Sequence, residues 1–255
     1  YWERALAAAQ AGGDRRNEGH LYFIRGDREL QAGHLETAVT LTQKSVAIIR
    51  SFDDPPHLIL ALSVLVDLLT AQQRPDAARA VVAEAQQLAA HLSIKWHSLL
   101  VAIASARLLI AERQFDQAEM ALAVVLASVP AEGSYQSLRQ MALYHRGCLC
   151  FLQGAYADAA AAWQQCVAMA DSTDFLVNSR IWRALVGLGE VALCVGDVET
   201  AVSHFITAHE LAHCIGADAA WELEVGRLAV VYQDEAVGVE ALAGTVPAEA
   251  STPGI

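Results

Sequence analysis

Small and bulky residues return along this chain at a fixed interval. A turn residue, a bulky apolar residue two places on and an alanine three further recur as GHLETA, QRPDAA, RQFDQA, GAYADA and GDVETA, ending at Ala38, Ala78, Ala118, Ala159 and Ala201, 40, 40, 41 and 42 residues apart. Neighbouring columns move with the alanine: mostly small residues seven places later (Ser45, Ala85, Val125, Cys166, Ala208) and larger ones three before those (Thr42, Val82, Leu122, Trp163, Phe205). Twelve residues before each alanine stand Gly26, Val66, Ala106, Gly147 and Gly189. Self-similarity at this period marks stacked supersecondary units. Small residues facing a bulky one let two helix axes approach closely, so each unit reads as a hairpin of two helices.

Punctuation agrees with that reading. Gly33, Gly154 and Gly196 fall where the first helix of a unit must end, and glycine supplies the left-handed cap such ends use. Pro75 and Asp197 are first-turn residues for the second helix. Asp53, Ser93, Gly133, Asp174 and Gly216, with Gly13 at the same offset from Ala5, mark loops between successive hairpins, beside Asp54-Pro55-Pro56 and Pro130. No alternating strand pattern occurs. The expected fold is an all-α solenoid: a partial repeat over 1–13, five hairpins over about 18–214, a terminal helix over about 219–235, and a tail over 236–255 that is disordered from about 244.

These columns resemble tetratricopeptide repeats, over about residues 1–235, and the 40 to 42 residue period is similar to the longer MalT-like variety of bacterial STAND-type regulators. The chain departs from the family at Gln73 and Arg113, which replace the turn glycine, and at Arg25 and Arg146, which stand where the family has apolar residues. The resemblance implies that the first helix of each hairpin lines a concave groove that takes a protein or peptide partner or a small effector. One place after the small first-helix column stand Asp27, Asp67, Arg107, Cys148 and Glu190, four of them charged. With Tyr144, Phe151 and Arg183 they form the candidate binding surface, charges orienting a partner and aromatics anchoring it. An ordinary solvated helix face is the alternative reading of the same spacing.

His209-Glu210-Leu211-Ala212-His213 spells H-E-x-x-H, the spacing by which two histidines on one helix face hold zinc beside a glutamate base. The extended pattern with Gly216 would place a third ligand at 219, which is Ala219. The repeat accounts for the same helix without the motif, since Gln86-Gln87 and Ala90 stand at the equivalent places. Zinc peptidase is therefore a distant third reading, and no catalytic residue, metal ligand or cofactor is assigned. His57 and His97 lie one period apart at equivalent helix starts, either as solvated residues or as a pair that senses pH or metal; His20, His91, His145 and His204 suggest no shared geometry. Phosphate-loop, dinucleotide and nucleophile-elbow motifs are absent.

Composition changes the picture only by exclusion. A net charge of −12 argues against nucleic-acid contact by this region, which needs a basic surface. Apolar runs are too short to span a bilayer, and the opening YWERALAAAQ has no signal-peptide character, so a cytoplasmic location is expected. Five cysteines without a C-x-x-C pair read as reduced, buried small residues. Trp2 and Ala5 fit a second helix lacking its first, so the chain is expected to be part of a longer protein; its uncapped ends expose apolar surface, so oligomerisation is open and self-association of the isolated piece would say little about the native protein. The function read from the sequence is an interaction or ligand-sensing module of a STAND-type regulator; the alternative is a stand-alone scaffold joining two partners.

Overall fold

A computed structural model describes residues 1–52, 54–92, 94–130, 135–169 and 175–232, the last from side chain 180 onward. Among these residues the chain is all α, twelve helices without a strand: α1 (Trp2–Ala11), α2 (Arg15–Gln31), α3 (Leu35–Ile49), α4 (Pro55–Ala71), α5 (Pro75–His91), α6 (Lys95–Ala111), α7 (Phe115–Ser128), α8 (Gln136–Leu152), α9 (Tyr156–Ala168), α10 (Phe175–Cys194), α11 (Val198–Cys214) and α12 (Asp218–Val231). It is a helix-hairpin solenoid of tetratricopeptide-like geometry. None of the described helices is long and apolar enough to cross a membrane. The tail and four loop positions read from the sequence (Asp53, Ser93, Gly133, Asp174) lie outside the described residues.

Each hairpin closes by one device. The first helix ends in a left-handed residue, Gly33, Gln73, Arg113, Gly154 or Gly196. The next amide then reaches back five residues, as from His34 to Glu29 (2.8 Å), Arg74 to Leu69 (2.9 Å) and Gln114 to Leu109 (2.8 Å). This wrapped turn satisfies carbonyls that a helix end leaves without partners. Gly13 and Gly216 build the same turn before α2 and α12. Gln73 and Arg113 hold φ of 57° and 59° with a side chain that disfavours it. Gln73→Gly is expected to stabilise the fold by about 0.5–1 kcal/mol, because relief of the left-handed penalty exceeds the added freedom of the unfolded chain. Urea denaturation reads this, and an unchanged or lower midpoint would show that the turn is unstrained.

Within each hairpin the small and bulky columns fit by size. Ala38, Ala78, Ala118, Ala159 and Ala201 are fully buried at the crossings. Gly26 faces Thr42, Gly147 faces Trp163 and Gly189 faces Phe205, each glycine leaving room for the second-helix side chain, while Val66, Val82, Ala106 and Leu122 hold the same columns buried. A Cβ on Gly147 would lie 2.5 Å from Trp163 Cδ1, and one on Gly189 2.6 Å from Phe205 Cε1. The two arginines at apolar family positions are held at the surface: Arg25 pairs with Glu29 and caps the Trp2 ring at 5.7 Å, and Arg146 reaches Glu119 at 3.4 Å.

First helices also pack on one another, α4 on α6, α6 on α8 and α8 on α10. They form the inner layer and the second helices the outer one, so the stack curves tightly around the first helices. The curvature brings the ends together. Arg183 Nη1 of α10 donates to Gln31 Oε1 of α2 at 2.9 Å, across 152 residues. Gly33 lies so close to α12 that a Cβ there would be 2.9 Å from Ala220 Cα. The expected concave groove is thereby narrowed into a partly open chamber, with α10 at one end of the row of first helices touching α2 at the other.

Candidate ligand-binding chamber

All five first helices face one interior space, divided into two lobes that share Gln31, Asp67, Met141, His145 and Arg180. One lobe, about 350 Å³, is walled mainly by apolar side chains, among them Phe23, Leu60, Trp96, Leu100 and Ile103. The other, about 410 Å³, mixes apolar walls such as Ile110 and Leu152 with Thr70, Arg107, Tyr144, Cys148, Arg180 and Arg183, and is the more polar of the two. Volumes of this order suit small molecules or a few residues of peptide.

Six of the eight candidate residues line this space. Asp27, Asp67, Arg107, Tyr144, Cys148 and Arg183 face it, brought there because residues 40 or so apart occupy one face of successive first helices. The other two do not. Phe151 packs on Tyr156 and Trp163, with ring centroids 5.5 and 5.8 Å away, as part of the hairpin core. Glu190 is buried beneath α12, accepting from Arg227 at 3.0 Å and from Tyr232 at 3.5 Å. Helix α9, through Tyr156 and Trp163, holds the first, and Arg227 and Tyr232 hold the second, contacts that column spacing does not encode.

Sequence spacing also missed several wall residues. Arg180 lies one helical turn before Arg183 on an otherwise apolar stretch of α10, a signal visible only once α10 is known to face inward. His145 precedes the charged column by one turn of α8, and Gln31 and Trp96 lie at the two ends of their helices.

Charge and burial shape the chamber. Arg107 Nη1 meets Asp67 Oδ2 at 2.5 Å. Burial pushes the Asp67 carboxyl up from its ordinary range, with Arg107 and Arg180 pulling back. Burial likewise raises Asp27, against Arg180. Arg180 and Arg183 are pushed down by burial, Arg180 against the pull of Asp27 and Asp67. His145 is held well below its ordinary value by burial and then by Arg107 and Arg180, so it stays neutral at pH 7. Burial pushes the Cys148 thiol up to about 11, far from a reactive thiolate. The described wall is thus built to hold charged and polar groups at fixed places.

The remaining histidines have other surroundings. His209 stacks on Trp221 of α12 at 5.2 Å, and His213 Nδ1 meets Asp218 Oδ1 at 2.7 Å, so H-E-x-x-H joins α11 to α12 through two separate contacts. His20, for which the sequence suggested no partner, stacks on His57 at 4.0 Å, and both sit beside Asp54, whose Oδ1 meets His57 Nδ1 at 2.8 Å. Asp54 also caps α4. His97 is the next in this row, buried, its basicity lowered by burial and then by His57. The cysteine expectation is corrected in part: Cys150 and Cys166 are buried, whereas Cys194 and Cys214 are exposed, because they sit at helix ends past the packed face.

No family model matches the sequence, and no curated protein matches it either. Among solved structures, the crystal structure of BtubC (BKLC) from P. vanneervenii is similar with a TM-score of 0.55 and 16% identity, over 84% of this chain and 89% of that one. A structure from the functional characterization of Pseudomonas aeruginosa pilF has a TM-score of 0.49 and 13% identity, over 90% of this chain and 98% of that one. The first likeness is one of fold alone.

Proposed function

We propose that this solenoid is a recognition module whose binding site is the chamber enclosed by its first helices, and that it serves as the sensor of a larger signalling protein of the STAND type. One observation carries the reading: residues from all five hairpins, far apart in sequence, converge on a single lobed space lined by arginines, aspartates and aromatics. A wall shared by every repeat couples occupancy to the curvature of the whole stack, which is what a sensor needs. The regulator context rests on the repeat period, and a nucleotide-binding or helix-turn-helix domain encoded beside these repeats would support it.

A thermal-shift screen of small metabolites and short peptides tests the site. Compounds that stabilise the parent should lose their effect in Arg107→Glu and Arg183→Glu, while Gln87→Glu on the outer face of α5 retains it. A buried guanidinium partner lost in this way is expected to cost binding about 2–5 kcal/mol. If folded groove variants respond like the parent and the outer variant does not, recognition lies on the second helices. A second reading, a scaffold joining two partners, draws on Leu223, Val230 and Val231, which α12 leaves exposed; charge placed there would then abolish capture of one partner and spare the other.

A further inference from the structure

Resting on that assignment of the chamber as the binding site, we infer that its natural occupant is a small amphipathic carboxylate, its apolar body in the lobe lined by Phe23, Trp96 and Leu100 and its carboxylate in the lobe of Arg107, Arg180 and Arg183.

Charge balance points to an anion. Of the five arginines on the described wall, Arg28 and Arg113 are exposed at its rim, whereas Arg107, Arg180 and Arg183 lie inside against Asp27 and Asp67, in a chain whose net charge is −12. Cations concentrated inside so acidic a protein attract an anion along the field of the interior.

Geometry points to a carboxylate. The wall holds its own example, the Asp67 carboxylate against the Arg107 guanidinium at 2.5 Å. A planar guanidinium presents paired donors that a carboxylate of a ligand would meet in the same way. Arg183 is fixed for this role from two sides, by Gln31 at 2.9 Å and by the Trp182 ring at 4.3 Å. Orientation follows from the division of the space. The neighbouring lobe, about 350 Å³ and mostly apolar, would waste a second charged end and favours an uncharged body.

Octanoate and octan-1-ol, matched in chain length, separate the two halves of the inference by isothermal titration calorimetry. Octanoate is expected to saturate one site at least about tenfold more tightly than the alcohol, the factor corresponding to one charge-assisted hydrogen bond. Arg183→Gln should erase that ratio, Arg183→Lys should restore part of it, and Trp96→Ala should weaken both probes equally; circular dichroism confirms that each variant folds. Acetate and inorganic phosphate should bind far more weakly, lacking the apolar body. Equal binding of the two octyl probes, an unchanged ratio in Arg183→Gln, or tight binding of phosphate alone would overturn the assignment of a carboxylate. Absence of octanoate binding to folded parent protein, alongside screen compounds that still depend on Arg107 and Arg183, would overturn the ligand class and leave the site standing.

Discussion

Trp163→Leu is expected to destabilise the protein by about 3 kcal/mol, near the lower end of the range for removing a large buried aromatic. The indole is nearly inaccessible and fills the space above Gly147 and Gly187, and its Nε1 donates to the Tyr144 carbonyl at 3.1 Å. Gly147→Ala alone should cost about 1–3 kcal/mol through overpacking, since the ring has no room to move between two glycines. The informative result is the combination. Ala106 and Leu122, both buried, occupy the same two columns one repeat earlier, so Gly147→Ala with Trp163→Leu transplants the residue types that repeat uses. The double variant should be more stable than the sum of the single changes predicts by at least about 1 kcal/mol, a coupling characteristic of residues in contact. Chemical denaturation of the four proteins measures it. Strict additivity would show that the two columns do not meet as described. Recovery should remain incomplete, because Gly187 also abuts the ring and keeps a void when leucine replaces it.

Gly33→Val is expected to cost about 2–4 kcal/mol, combining a left-handed backbone that a β-branched side chain resists with a collision at α12. Its φ is 87°, and an added Cβ would lie 2.9 Å from Ala220 Cα. Gly154 supplies the control. It occupies the equivalent turn at φ 76° with open space around it, so Gly154→Val should show the backbone cost alone, about 1–2 kcal/mol. The difference between the two variants isolates the contact that closes the ring. Amide exchange should also quicken across α12 in the Gly33 variant and stay unchanged in the Gly154 variant. Equal costs with equal exchange would mean that α2 and α12 do not bear on one another.

The periodic alanines, the turn residues and the exchange of glycine for bulk were readable because hairpin packing is local, settled between residues about 16 places apart. Even the exceptions were informative: Gln73 and Arg113 take the left-handed turn that glycine takes elsewhere, so the column held where the residue type did not. The chamber was half readable. Asp27, Asp67 and Arg107 share a face because a helix repeats its face from unit to unit. Arg180, Gln31 and His145 join them through the total curvature, and no local spacing encodes how far five small rotations add up. Glu190 belongs to the charged column and Phe151 flanks it, yet packing against Arg227 and Tyr232, and against Tyr156, takes them elsewhere.

The meeting of α2 with α10 and α12 bears on the order in which the chain is made. Hairpins are local and can fold as they leave the ribosome, N-terminal ones first. The chamber cannot: Gln31 emerges early, whereas Arg180 and Arg183 arrive some 150 residues later. Delay of this kind is thermodynamically mild, since joining ends 152 residues apart costs only about 1 kcal/mol more than joining ends one repeat apart, and less if the hairpins between are already rigid. A nascent chain arrested before α10 would thus carry four hairpins and the Asp67–Arg107 pair, yet lack Arg180, Arg183 and the contact that joins α10 to Gln31.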